Sequence, residues 1–225
     1  DTALVRVECN RSVGAGDVPP KPDTTVNYDK IAGPCVDADY VGFACLQKTL
    51  MTSEGKPYRV MFRWNRVNTN SLGTLLWVLG GNGKGKWRTN AKEAVSIQND
   101  FDTMYSLRSV EVDFIDEDTI TGLNGGYFNH AGGYYSAGSA YMEALKFINL
   151  YLKKGTFLNH VGGSNGTMVA AYALSHFNAG AYLDRVVMHA GPFLADIQDA
   201  CNNSHYASFA QSPGALSTIH NFLGV

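Results

Sequence analysis

The sequence predicts an α/β fold, with a mainly parallel sheet and helices on both of its faces. In its second half, short apolar runs alternate with segments of helical periodicity, which is the order expected of such a sheet. The run Thr74–Leu79 is apolar almost throughout, as in a central parallel strand that is buried on both faces. A third observation is the pentapeptide Gly162–Gly166, which reads G-x-S-x-G and lies between an apolar run and a helix-like run.

Composition supports a globular protein with a sizeable core. Hydrophobic residues make up 45% of the 225 residues and charged residues 17%. The net charge of −2 argues against nucleic acid or an anionic membrane as a partner held by bulk electrostatics. Because no apolar run approaches the ~20 residues that span a bilayer, no membrane span is expected.

The cysteines suggest disulfides and export. They are Cys9, Cys35, Cys45 and Cys201. Residues 1–55 are expected to form a cysteine-bearing N-terminal arm packed on the core, and residues 56–225 the α/β domain. Since the arm has little periodicity and no C-x-x-C pair, one or two disulfides are expected, with the pairing open. Together with a first residue that is not methionine, this predicts a secreted or periplasmic protein; the alternative is a cytosolic protein with four free thiols.

Four segments are predicted to be strands in addition to Thr74–Leu79. They are Lys56–Trp64, an edge or hairpin strand with Tyr58, Val60, Phe62 and Trp64 on one face; Ser109–Asp116, in which Val110, Val112 and Phe114 alternate with acidic residues; Phe157–Val161; and Arg185–Ala190.

Two helices are predicted. The first follows a glycine- and tyrosine-rich loop, Thr121–Ser139, begins near Ser136 or Ser139, and ends before Gly155. The second covers Thr167–Phe177 and ends near Asn178.

The pentapeptide Gly162–Gly166 suits a nucleophile elbow. There the serine occupies a tight, strained strand-to-helix turn, so the residues two before and two after it must be small. The alternative is a glycine-rich loop that carries a solvated serine.

Five features of the chain match one known family in their order. They are the buried strand Leu75–Leu79, the loop Gly80–Gly83, the helix 139–153, the elbow Gly162–Gly166 and the strand Arg185–Ala190. On these features the chain resembles the α/β-hydrolase superfamily of esterase- and lipase-like serine hydrolases over about residues 56–200. The resemblance implies that Ser164 is a nucleophile and that the backbone N–H of Asn165 is one oxyanion donor. It places the second donor in the loop after the buried strand, at Gly81 or Asn82.

The resemblance also implies an acid and then a histidine after the serine. Within the chain the candidates are Asp196 or Asp199 as the acid and His205 or His220 as the base, and Asp196 and His220 are the preferred pair. Only one clear strand follows Ser164. An incomplete chain is therefore expected, with the true acid and histidine on a missing part or on a second fragment of the same gene product.

The predicted function is hydrolysis of a carboxylic ester, small or polymeric, through an acyl-enzyme on Ser164, with no cofactor and no metal. One alternative is a non-catalytic binding or scaffold domain with an incomplete triad. Another is a nucleotide-binding protein that uses Gly80–Lys86, a near match to G-x-x-x-x-G-K-[ST] in which Trp87 replaces the hydroxyl residue.

Other aromatic and histidine residues are assigned as follows. Four tyrosines and Trp87 either face a sugar or aromatic ester or serve as packing groups; the tyrosines are Tyr127, Tyr134, Tyr135 and Tyr141. Among the histidines, His189 is expected in the core and His160 beneath the elbow. His130 lies in the glycine- and tyrosine-rich loop, and lining of a binding cleft is the less favoured of its roles.

Overall fold

The structure is a computed structural model that describes residues 5–7, 18–66, 70–84, 91–116, 125–128, 130 and 133–189. The strands in these ranges are β1 (Val5–Val7), β2 (Gly33–Pro34), β3 (Phe43–Met51), β4 (Pro57–Asn65), β5 (Gly73–Val78), β6 (Leu107–Phe114), β7 (Phe157–Gly163) and β8 (Arg185–His189). The helices are α1 (Tyr28–Ile31), α2 (Ala91–Tyr105), α3 (Gly133–Phe147) and α4 (Asn165–His176), and a π-helical turn, Ile148–Leu152, continues α3.

The described strands form one sheet in the order β1-β8-β7-β5-β6-β4-β3-β2. Strands β5, β6, β7 and β8 pair in parallel, and β3 runs in their direction because it is antiparallel to β4, which is itself antiparallel to β6. Strands β1, β2 and β4 run the other way. The sheet is therefore mixed, with most of its strands in one direction, and the predicted α/β class is confirmed.

Helices cover both faces of the sheet. Leu76, Val110 and His160 are in register and share one face, where Tyr141 of α3 contacts His160. The opposite face carries Trp77, whose ring lies 5.6 Å from that of Phe101 in α2. Helix α4 packs along α3 on the first face.

Strands β4 and β5 bear out their sequence patterns. The alternating side chains of β4, Tyr58, Val60, Phe62 and Trp64, are all fully buried. Every residue of β5 is buried, and β5 lies between two parallel neighbours, as expected for a central strand. Strand β4 is the second strand of a hairpin, paired with β3 over their whole lengths.

Helix α3 begins at Gly133, earlier than the expected start near Ser136 or Ser139. Both serines are buried within the helix, and Ser136 accepts a hydrogen bond from Tyr58. Helix α2 was not predicted from the sequence. Strands β6, β7 and β8 and helix α4 lie where their patterns indicate, within a few residues.

The segment that precedes β3 is bonded to the rest of the fold. Asp23 donates its N–H to the carbonyl of Leu150, and Asp29 forms an ion pair with the buried Arg108. The boundary expected at residue 55 falls in the turn that links β3 to β4, so the strand at 43–51 belongs to the same sheet as the later strands.

Cys35 and Cys45 form a disulfide between β3 and the end of β2, which confirms the expectation of at least one. Cys9 and Cys201 lie outside the described residues. Across the described part of the chain, the helices are too short or too polar to traverse a bilayer.

Candidate active site

Ser164 occupies a strained turn between β7 and α4. Its φ of 51° and ψ of −124° fall outside the regions that L-residues normally adopt. Its side chain is exposed. Such a conformation costs about 1–3 kcal/mol and persists only where the surroundings enforce it. The Ser164 turn, Gly162–Gly166, therefore holds its serine outward at the carboxyl end of a parallel strand.

The two outer glycines of the Ser164 turn are required by close packing, as the sequence predicts. A Cβ on Gly162 would overlap the ring of His160. A Cβ on Gly166 would lie 2.7 Å from the carbonyl oxygen of Leu79 and 2.8 Å from that of Val78. Only glycine fits at either position without a shift of the backbone or the core.

Hydrogen bonds to both backbone groups of Ser164 hold it in place. Its N–H donates to the carbonyl of His189 at the end of β8, at 3.0 Å. Its carbonyl accepts from the N–H of Thr167 at 2.9 Å and from the Thr167 hydroxyl at 2.6 Å. The Ser164 hydroxyl itself makes no hydrogen bond to a residue that the structure describes, which leaves it available to a ligand or to a residue elsewhere in the chain.

The loop after β5 reaches the Ser164 turn. In this glycine loop, Gly80–Gly83, the N–H of Gly83 donates to the carbonyl of Gly80 at 3.0 Å, which closes a tight turn. Gly81 has a φ of 56°, a value that suits the second position of a type II′ turn. A Cβ built on Gly80 would lie 3.1 Å from the Cβ of Ser164. The loop is therefore in contact range of the serine.

The side chain of Asn165 joins the glycine loop to α3. Its Nδ2 donates to the carbonyl of Gly81 at 2.7 Å, and its Oδ1 accepts from the hydroxyl of Tyr134 at 2.5 Å. The sequence pattern predicts a role only for the backbone N–H of Asn165. The one sequence feature that could have indicated a role for its side chain is the presence of an amide directly after the serine.

His160 lies beneath the Ser164 turn, as expected. It is fully buried, its Nδ1 lies 2.9 Å from the hydroxyl of Tyr141, and its Nε2 has no partner among the described residues. Burial lowers the pKa of His160 to about 3, so the ring is neutral at working pH.

The expectation for His189 is wrong. Its side chain is exposed at the end of β8, where alternation along the strand points it away from the buried Val186 and Met188. His130 is partly exposed, and its Nε2 lies 2.6 Å from the carbonyl oxygen of Pro57.

The four candidate acids and bases, Asp196, Asp199, His205 and His220, lie outside the described residues, as do Lys86 and Trp87 of the near match to a phosphate loop. Within the described ranges, no group of histidine, cysteine and acidic side chains has the arrangement of a metal site.

The tyrosines divide into two groups. Tyr127, Tyr134 and Tyr141 are fully buried and act as packing groups, and the hydroxyl of Tyr127 donates to the carbonyl of Leu79 at 2.8 Å. Tyr135 is 44% exposed, so only this member of the described set faces solvent.

Among solved structures, the chain is similar to brefeldin A esterase, a bacterial homologue of human hormone-sensitive lipase, at 16% identity over 69% of this chain and 41% of that one, with a TM-score of 0.41. The esterase Est22 gives 12% identity over 70% and 44% of the two chains, with a TM-score of 0.42. A prolyl endopeptidase gives 14% identity over 63% and 20%, with a TM-score of 0.40. No protein-family model and no curated protein matches the chain.

The chain resembles the α/β-hydrolases in fold. The resemblance is carried by features of the chain itself: the run of parallel strands, the strained serine at the end of β7, and a glycine loop after β5 that lies beside it. The chain spans less than half the length of each of the three solved proteins.

Proposed function

We propose that the chain is a serine hydrolase, in which Ser164 attacks a carboxylic ester and forms an acyl-enzyme. The observation that carries this proposal is the backbone of Ser164. A serine that is merely solvated on a loop does not need a positive φ. At Ser164, three hydrogen bonds and two close-packed glycines hold the backbone in this strained conformation while the side chain stays exposed.

The start of α4 supplies the first stabilising group for the oxyanion of the tetrahedral intermediate. The N–H of Asn165 lies in the first turn of α4, where N–H groups lack intrahelical acceptors. The positive end of the helix dipole adds a favourable potential for the developing charge. Loss of one oxyanion donor typically costs about 3–4 kcal/mol of transition-state stabilisation.

Gly81 is the preferred second donor over Asn82. The carbonyl of Gly81 points at the Asn165 side chain. In a planar trans peptide the carbonyl and the following N–H point in opposite directions, so the N–H of Asn82 is directed away from Asn165. The N–H of Gly81 belongs to the preceding peptide, next to Gly80, where a Cβ would lie 3.1 Å from the Cβ of Ser164.

The proposed acid and base within this chain are Asp196 and His220. His220 takes the proton of the Ser164 hydroxyl during attack and returns it to the leaving alcohol, and Asp196 orients the imidazole. The alternative source is a second fragment of the same gene product. The disulfide Cys35–Cys45 supports the further proposal that the protein works in an oxidising compartment, secreted or periplasmic.

Covalent labelling tests the nucleophile. A fluorophosphonate probe is expected to label the wild-type protein and the Ser175→Ala variant, but not Ser164→Ala. Ser175 is a matched control because it lies exposed on the same helix and its hydroxyl bonds only within the last turns of α4. A protein that is neither labelled nor able to hydrolyse short p-nitrophenyl esters would contradict the proposal and favour a binding or scaffold domain.

Substitution of the candidate base tests the rest of the triad. His220→Ala and Asp196→Asn are expected to abolish ester hydrolysis, whereas His176→Ala, a change at an exposed histidine of α4, is expected to retain it. Activity that survives His220→Ala would place the base elsewhere. The intact mass of the native protein then shows whether a second fragment accompanies this chain.

A further inference from the structure

The carboxamide of Asn165 bridges three parts of the fold: the Ser164 turn, the glycine loop and helix α3. We propose that this side chain is a positioning group: by binding the carbonyl of Gly81, it holds that residue, whose N–H is the proposed second oxyanion donor, in place beside Ser164. Tyr134 in turn holds the side chain. The inference rests on the proposed hydrolase function and adds two side chains to it, neither of which is expected to touch the substrate.

Both polar atoms of the carboxamide are engaged, and in a defined sense. Gly81 offers a carbonyl oxygen, which only accepts, so the atom that faces it must be Nδ2. The Oδ1 atom then faces the hydroxyl of Tyr134, which donates to it. A flipped amide would set two oxygen atoms against each other at Gly81, so these contacts select one orientation.

Tyr134 is well placed to hold the amide. It is fully buried in the first turn of α3, and its ring stacks on that of Tyr172 in α4 at 5.7 Å. Burial, and then the proximity of Tyr172, raise the pKa of Tyr134 above its ordinary value, so the hydroxyl keeps its proton. A rigid, permanent donor therefore faces Oδ1.

The glycine loop lacks such rigidity of its own. Residues 80, 81 and 83 are glycines, which adopt positive and negative φ with similar ease. In a turn of this kind the backbone can rotate about the bonds of Gly81 with little steric resistance, which would redirect the carbonyl and the N–H of that residue. The hydrogen bond from Asn165 opposes that rotation, and it comes from the residue next to the proposed nucleophile.

Asn165→Asp is the most informative substitution. It preserves the size of the side chain and the acceptor for Tyr134, but it replaces the donor to Gly81 with an oxygen that repels the carbonyl. We expect kcat to fall by up to about 100-fold, the effect of a small misplacement of a catalytic group, with KM changed little. Tyr134→Phe removes one hydroxyl and is expected to lower kcat by about fivefold.

The measurements must separate positioning from folding. The rate constant kcat is expressed per active site titrated with the fluorophosphonate, and the affinity for an alkyl trifluoromethyl ketone, which forms an oxyanion adduct with the serine, is measured for each variant. A positioning role predicts that ketone affinity falls in parallel with kcat/KM. A merely structural role would lower the titrated fraction and leave kcat per site unchanged.

Two control variants match the chemistry. Asn178→Asp makes the same change at an exposed asparagine after α4, and Tyr105→Phe removes the hydroxyl of an exposed tyrosine at the end of α2. Both are expected to retain wild-type kcat. Because Tyr134 acts through the amide, Tyr134→Phe is expected to have no further effect in an Asn165→Ala background.

Hydrogen–deuterium exchange provides a readout that does not depend on activity. Exchange of the amides in residues 79–84 is expected to be faster in Asn165→Ala than in the wild type. Unchanged exchange, or a kcat per site within twofold of wild type in Asn165→Asp, overturns the inference while the labelling of Ser164 still stands. A wild-type protein that is not labelled removes the proposed function itself.

Discussion

The imidazole of His160 lies directly against the Cα of Gly162, so that a Cβ at residue 162 would overlap its Nε2. The ring is fully buried and its other nitrogen is hydrogen-bonded to Tyr141. A side chain of the core thus supports the Ser164 turn. The position of Ser164 therefore depends on packing beneath the carboxyl end of β7 as well as on the turn itself.

Gly162→Ala is expected to destabilise the protein by about 1–3 kcal/mol and to abolish fluorophosphonate labelling, because His160 or the turn must move to admit the methyl group. Urea unfolding and labelling measure the two effects. Gly33→Ala is the matched control, since a Cβ there meets nothing within 4 Å. Equal stability and labelling in the two variants would argue against close packing at residue 162.

Burial of neutral His160 predicts a loss of stability in mild acid. The unfolded imidazole binds a proton near its ordinary pKa of 6.5, whereas burial lowers the folded pKa to about 3. Between these values the unfolded chain binds more protons, so the free energy of unfolding falls as the pH decreases below about 6.5, by up to ~1.4 kcal/mol per pH unit.

This pH dependence is measured by urea unfolding between pH 7 and pH 5. His160→Gln is expected to flatten the slope, and Tyr141→Phe, which keeps the imidazole, to retain it. His176→Gln, at an exposed site, is the control for loss of a histidine. An unchanged slope in His160→Gln would show that another group titrates in this range.

The disulfide closes a short loop, with Cys35 and Cys45 separated by 10 residues. Loss of the cross-link in the variant with Cys35→Ser and Cys45→Ser is expected to lower the free energy of unfolding by about 3 kcal/mol, chiefly by freeing the unfolded chain. A reductant should have the same effect on the wild type. If the double variant still responds to reductant, Cys9 and Cys201 form a second disulfide.

The ion pair between Asp29 and Arg108 predicts a second acid-sensitive contribution. Burial alone would raise the pKa of Asp29, but attraction by Arg108, the hydrogen bond from Trp64 and the charge of Lys154 lower it below its ordinary value. Its contribution to stability is complete above a pH of about 4 and is lost as the pH falls through the lowered pKa.

Asp29→Asn is therefore expected to be less stable than the wild type at pH 7 and to approach it in stability below pH ~3. Asp100→Asn, at an exposed position of α2, is the control and should follow the wild type throughout. Guanidinium unfolding at a series of pH values measures both. A constant difference between Asp29→Asn and the wild type would mean that the carboxylate charge contributes nothing.

Local patterns predicted the elements that carry the serine. Period-two alternation identified β4, an unbroken apolar run identified β5, and the spacing of glycines around Ser164 identified the strained turn. Each of these elements is determined by residues close together in the sequence. Burial of a strand on one or both faces sets the pattern of its apolar residues, and close packing at a turn requires glycine at fixed positions.

Features that depend on distant partners left no such trace. Glu111 has the position of a solvent-facing residue in an alternating strand, yet it is fully buried, and hydrogen bonds from Tyr40, Arg63 and Gln98 offset the cost of burying its charge. Helix α2, which supplies Gln98, has a polar composition that hides its contact with the sheet. In the site itself, the bond from Asn165 to Gly81 joins residues 84 apart in the sequence.

Strand β1 pairs antiparallel with β8, which already has β7 on its other side. Both hydrogen-bonding edges of β8 are thereby occupied by the described strands. A strand formed by any later segment cannot be added beside β8 while β1 remains there. On this side of the sheet it must dock on the outer edge of β1 or replace it. Strand β1 and a later strand therefore compete for one edge of β8, and a peptide that matches residues 5–7 would compete for that edge as well.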